Sequence, residues 1–130
     1  MHLLGLYGRP NDMPSLPHHV GGEGAGRVVK LGAGVSEYWL NKKVTFTCDP
    51  HNHRKQGTWQ QYIIKKARIP HIFVVPESVP FTLAASFWVN PLTALGIWDL
   101  AKKTPKNKGI IMNAGASALG KMVLRFCLSR

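Results

Sequence analysis

A chain of 130 residues with 45% hydrophobic content fits one ordinary domain, and 17 Lys and Arg against 6 Asp and Glu give it a net charge of +11. That field attracts anionic partners, but the cations stand in separate pairs, Lys42-Lys43, Lys65-Lys66 and Lys102-Lys103, without an arginine-rich tract or aromatic-basic alternation, so a specific nucleic-acid reader is not expected. Two cysteines, Cys48 and Cys127, exclude a disulfide framework and fit a reducing setting, and no apolar run reaches the length of a membrane span. The opening MHLLGLYGRPNDMP carries neither a secretory signal nor an Arg- and Ser-rich amphipathic leader. That stretch does not write an address; the two cysteines make an intracellular location the expectation, with cytoplasm and mitochondrial matrix both open. A charged fraction of 18% is low for a small domain, which predicts surface that meets other protein, in a homo-oligomer or a larger assembly.

In chain order, residues 1–17 open on an apolar LLGLY and continue through Pro10, Pro14 and Pro17, reading as a loop that begins within a larger structure. The segment HHVGGEGAGRVVKLGAGV predicts a strand over residues 27–31, with Val29 and Leu31 on one face, and glycines at 21, 22, 24 and 26 suit a bent strand approached closely by another backbone. Further strands are predicted at 41–47, at 58–64 (TWQQYII) and at 69–75, the second preceded by the polar loop CDPHNHRKQG. Together they make residues 1–80 a small irregular β-barrel or sandwich.

The texture changes at Pro80. Residues 81–89 are Ala-rich and helical, and a second helix is predicted to start with Asn90 as N-cap and Pro91 at its first position. It runs to Lys102 and Lys103, which complement its C-terminal dipole, and Leu92, Leu95, Trp98 and Leu100 are its expected buried stripe. In KGIIMNAGASALGKMVLRFC the period then changes across a small-residue turn: a strand at 110–112, and a helix burying Met122, Val123, Phe126 and Cys127. Between them, Gly115-Ala116-Ser117-Ala118-Leu119-Gly120 has the spacing of the dinucleotide fingerprint, with Ser117 in its middle position. A helix N-terminus presents unpaired N–H donors and a positive dipole end, and small side chains let a phosphate approach. Two glycines at this spacing also serve turns that need only tight helix packing. The acidic residue that would hold a ribose falls about 20 residues on, past Arg130, so the nucleotide-binding domain is expected to be cut after its first strand and helix.

Cys48, His51 and His53 include metal-ligand types, but without a fourth partner they make a weak zinc site, and no metal is expected. His18-His19 reads as a wet turn, and Trp59, Trp88 and Trp98 as core or interface anchors.

The β segment, the helix beginning Asn-Pro-Leu-Thr-Ala and the phosphate turn resemble, in this order and over nearly the whole chain, the medium-chain dehydrogenase/reductase superfamily. LPHHVGGEGAGRVVKLGAGV, GTWQQYI, VNPLTAL and NAGASALGKMV carry the likeness. Within the superfamily the chain is most similar to the zinc-independent enoyl reductases acting on 2-enoyl thioesters and to quinone-oxidoreductase-like proteins. The resemblance implies a mixed α and β fold: a GroES-like β-barrel domain over residues 1–80, incomplete at its start, then linker helices and the first β-α unit of a Rossmann-type domain over 81–130, incomplete at its end. It implies NADPH as cofactor, with NADH possible, and an enoyl thioester or a quinone as the small-molecule substrate. Gly21-Gly22-Glu23 stands where zinc-dependent alcohol dehydrogenases have Gly-His-Glu, so Gly22 replaces the metal-binding histidine and no zinc is implied. Tyr7 matches a tyrosine that lies by the substrate carbonyl and is the catalytic candidate. Asn90 and Thr93 match the nicotinamide side of the cleft, and Ala114, Gly115, Ser117, Leu119 and Gly120 the pyrophosphate turn. A non-catalytic paralogue or subunit of a larger assembly is the alternative from another class.

Overall fold

The computed structural model describes residues 19–47, 57–68, 70–105 and 108–129. The chain divides into two compact units, Met1–Ala85 and Ser86–Arg130.

In the first unit, three antiparallel strands form one sheet: β1 (Glu23–Arg27), β2 (Lys43–Thr47) and β3 (Ile72–Val74), with β2 in the middle. Gly24 faces Phe46 and Gly26 faces Val44 across β1 and β2, and Phe46 faces Ile72 across β2 and β3. The alternation of β2 explains its central place. Val44 and Phe46 point to one face and form the core with Ile72, joined by Val28, Trp39 and Ile63. Burying a side chain such as Phe46 contributes roughly 1.5–3 kcal/mol. Thr45 points to the other face, where it is wholly buried and its hydroxyl donates to the Ala84 carbonyl at 2.7 Å. That bond ties β2 to the short helix α1 (Phe81–Ala84).

The first strand lies four residues earlier than the pattern of 27–31 predicts, because the glycines themselves are the strand. A Cβ on Gly24 would lie 3.1 Å from the Phe46 ring, so the aromatic side chain packs directly on bare β1 backbone. Val28 still exchanges bonds with Lys42 and Asn41, after which the chain turns through Gly34, at φ +75°, into a single 3-10 turn at Glu37–Trp39. The predicted strand at 58–64 does not form. Thr58 and Trp59 donate to the carbonyls of Gly21 and Val20, but Gln60 then donates back to Thr58 and turns the chain away from further pairing. Among the described residues of the span 69–75, β3 is the strand.

The second unit is helical. α2 (Asn90–Ala101) and α3 (Ala118–Leu128) pack together, with Trp98 stacked on Phe126 at 6.4 Å between ring centroids. The N-cap of α2 is Val89 rather than Asn90; Asn90 is already helical, and no side chain caps this end. The predicted stripe also fails in part: Ala94 is the buried residue, while Leu95 and Leu100 are exposed. Apolar residues stand all round α2, so packing against α3 rather than a sequence stripe decides which face is covered. Lys102 and Lys103 pair with Asp99 at 3.1 and 3.5 Å. Residues 108–112 are not a strand: Ile111 is fully exposed, and among the described residues no neighbour supplies the pairing that a strand requires. On α3, Val123 is buried and Met122 and Phe126 are partly covered, as predicted, but Cys127 is exposed. Among the described residues no helix is long and apolar enough to cross a membrane.

Candidate functional site

In the second unit, the chain passes from the extended segment 108–112 through a turn over residues 113–116 into α3. Ala114 sits in the left-handed region at φ +52°, and its carbonyl accepts from the Ser117 amide at 3.0 Å. Ser117 is the N-cap of α3, and its hydroxyl oxygen accepts from the Gly120 amide at 3.1 Å. This satisfies one of the donors that the first turn of a helix leaves without an intrahelical carbonyl; the amides of Ala118 and Leu119 belong to the same turn.

The two glycines differ in kind. Gly120 is buried, and a Cβ there would lie 2.5 Å from the Gly115 carbonyl oxygen and 2.7 Å from that of Ala114. Only glycine lets the helix sit this close under the turn. A Cβ on Gly115 would meet nothing within 4 Å. The first position thus faces open space, and the last holds the turn against the helix. Asn90 and Thr93 lie in the first turn of α2, with Thr93 exposed and its amide bonded to the Val89 carbonyl.

In the first unit, the Gly21-Gly22-Glu23 corner is held by two threonines. The carbonyl of Gly21 accepts from the Thr58 amide at 3.1 Å, that of Gly22 from the Thr47 hydroxyl at 3.0 Å and that of Glu23 from the Thr58 hydroxyl at 2.7 Å. Gly21 has φ +103°, and a Cβ there would collide with Trp59 Cδ1 and with the Thr58 hydroxyl. Trp59 is 60% exposed and no core anchor. Its place was not evident from TWQQY, since its outward aim follows from the tie of Thr58 and Trp59 to residues 20 and 21 and not from strand alternation.

Tyr7, His18, Cys48, His51 and His53 lie outside the described residues. Among the described residues no cluster of three or more His, Cys, Asp or Glu could hold a metal ion.

No protein-family model matches the chain. It is 29% identical over 126 residues to the synaptic vesicle membrane protein VAT-1 homolog of Rattus norvegicus, covering 96% of this chain and 29% of that protein. It is 32% identical over 119 residues to the mitochondrial enoyl-[acyl-carrier-protein] reductase of Bos taurus, covering 91% of this chain and 30% of that protein. A solved structure from Bacillus thuringiensis, described as an NADPH:quinone reductase, matches with a TM-score of 0.75 at 29% identity, over 96% of this chain and 34% of that chain. The chain is thus similar to VAT-1 homologs, enoyl reductases and a quinone reductase, a set consistent with the medium-chain dehydrogenase/reductase superfamily that its motifs resemble. It spans about 30% of the length of the curated relatives it matches.

Proposed function

We propose that the chain is part of a nicotinamide-dependent reductase that reduces the conjugated C=C bond of a 2-enoyl thioester. The observation that carries this reading is the turn into α3, where Gly120 is packed under the carbonyls of residues 114 and 115 while Gly115 faces open space. Those residues suit a dinucleotide pyrophosphate: Ala114 and Gly115 would leave room for it, the amides of Ala118 and Leu119 would face it, and Ser117 would keep the helix start rigid. NADPH, the preferred cofactor by resemblance, would supply the hydride. Asn90 and Thr93 would lie on its nicotinamide side.

Hydride addition to the β-carbon leaves negative charge on the thioester oxygen. Tyr7 is proposed to donate a hydrogen bond or proton to that oxygen, general-acid work of typically ~10²- to 10⁴-fold. The likeness to the bovine enoyl reductase supports this acceptor. The domain reading, a GroES-like β domain followed by a β-α unit of a Rossmann-type domain, is part of the same proposal, as are an intracellular location and an oligomeric or assembled state.

A quinone acceptor is the second reading, favoured by the likeness to the Bacillus thuringiensis structure and by the exposed indole of Trp59. The test is NADPH-dependent reduction of crotonyl thioester by the chain and by Tyr7→Phe. Turnover that falls at least ~100-fold in the variant supports the assigned role, and turnover equal in both removes it.

A further inference from the structure

In the first unit, one aromatic side chain is held in place yet left open. The amide of Trp59 donates to the Val20 carbonyl at 2.9 Å, its neighbour Thr58 is buried, and Thr58 makes one bond to Gly21 and another to Glu23. Every backbone carbonyl from Gly21 to Glu23 is therefore occupied, and the corner is rigid. Glycine at 21 lets the Trp59 ring approach the backbone, since a Cβ there would run into Cδ1. The strap that follows is tied down again where Lys65 Nζ sits 5.8 Å from the centroid of the Phe46 ring. Residues 57–68 contain no acidic residue, and Lys66 and Arg68 are exposed cations.

An indole fixed at its backbone and open at its ring is suited to stacking. Its face is electron-rich, so it prefers an electron-poor flat ring in an offset arrangement. The absence of acidic residues from 57–68 leaves no carboxylate in that segment to repel carbonyl oxygens at the ring's rim. We propose that Trp59 is a specificity-determining residue, whose indole, set on the Gly21-Gly22 corner, stacks on the planar electron-poor ring of a quinone-class acceptor. The stacking role rests on the quinone form of the reductase reading above. It deepens the second form of that reading: an acyclic enoyl group offers the indole much less area than a fused ring does.

The test is equilibrium dialysis of the 130-residue chain against 9,10-phenanthrenequinone, a flat quinone with no free alkene position for a cysteine to add to. Dialysis reads bound quinone whichever tryptophans remain. The expected result is saturable uptake that weakens about tenfold in Trp59→Leu and less than about threefold in Trp59→Phe, while binding of crotonyl thioester changes less than about threefold in either. Absent uptake by the unaltered chain, equal uptake by Trp59→Leu, or an equal loss for both acceptors overturns the proposal. Circular dichroism confirms that the variants fold. An NADPH titration run beside it separates the two readings. Saturable NADPH binding with quinone uptake indifferent to Trp59 sinks the stacking role and keeps the reductase. Trp59-dependent uptake without NADPH binding sinks the reductase and keeps the stacking surface.

Discussion

Arg27 and Glu77, 50 residues apart in the chain, meet through two N–H···O bonds of 2.9 and 2.8 Å. Arg27 closes β1, and the same guanidinium donates to the Asn41 carbonyl, so one side chain joins the end of the strand, the turn before β2 and the segment after β3. Lys43 completes the junction: its buried ammonium donates to the carbonyls of Glu77 and Val79 at 2.9 and 2.7 Å and lies 4.6 Å from the centroid of the Phe81 ring.

The pair makes stability depend on acid. The hydrogen bond from Arg27 holds the Glu77 carboxyl below its ordinary 4.5, and the charges of Arg27, Lys43 and Lys42 act in the same direction. A carboxylate whose folded pKa is depressed stabilises above its unfolded pKa, and that contribution is lost as pH falls through the folded value. Glu77→Gln is expected to melt at lower temperature than the unaltered protein at pH 7, with the difference shrinking below about pH 4.5 and in high salt. Thermal melts of both proteins between pH 7 and pH 3 check this; a difference that grows in acid would contradict it.

Thr45→Val is predicted to destabilise the first unit by about 1–3 kcal/mol, because it leaves the buried Ala84 carbonyl without its donor. Thr45→Ser keeps the hydroxyl and should lose less. Urea unfolding of both variants reads the difference, and a Val variant as stable as the parent would mean that this bond does not hold α1.

Ser117→Ala removes the cap of α3 and should cost about 1 kcal/mol. Gly120→Ala forces a Cβ onto two backbone carbonyl oxygens that cannot yield as a side chain can, and should cost about 1–3 kcal/mol. Chemical denaturation followed by the far-ultraviolet helix signal measures both, and a Gly120→Ala protein of unchanged stability would show that the turn is looser than described.

What the sequence made legible follows from how local each signal is. The helix after Ser117, the helix after Val89 and the strand at 43–47 rest on neighbouring residues, and each lies close to its predicted place. The strands at 58–64 and 110–112 look equally good by composition, but a strand exists only through its partner, and composition says nothing about the partner. The shift of β1 has the same origin: glycines score as turn formers, and here the Phe46 ring from the neighbouring strand makes them strand. The spacing of Gly115, Ser117 and Gly120 marks a tight turn into a helix in the sequence, and that turn is present. That Ser117 acts as a helix cap, and that Gly120 rather than Gly115 bears the packing, needed coordinates. Of the two places expected for Trp59, core or interface, its exposure removes the core, and the backbone bonds of Thr58 and Trp59 to residues almost forty positions away are not visible in the local sequence.

The most direct test of the account is a titration with NADPH, followed by nicotinamide fluorescence, of the chain and of Gly115→Ala. A Cβ at residue 115 meets nothing within 4 Å in the protein, so the variant should keep its stability. If the pyrophosphate lies over this turn, that methyl group stands in its place. The account predicts saturable binding by the unaltered chain, weakened about tenfold or more in Gly115→Ala at unchanged melting temperature. No saturation at millimolar NADPH, or identical curves for the two proteins, would contradict it.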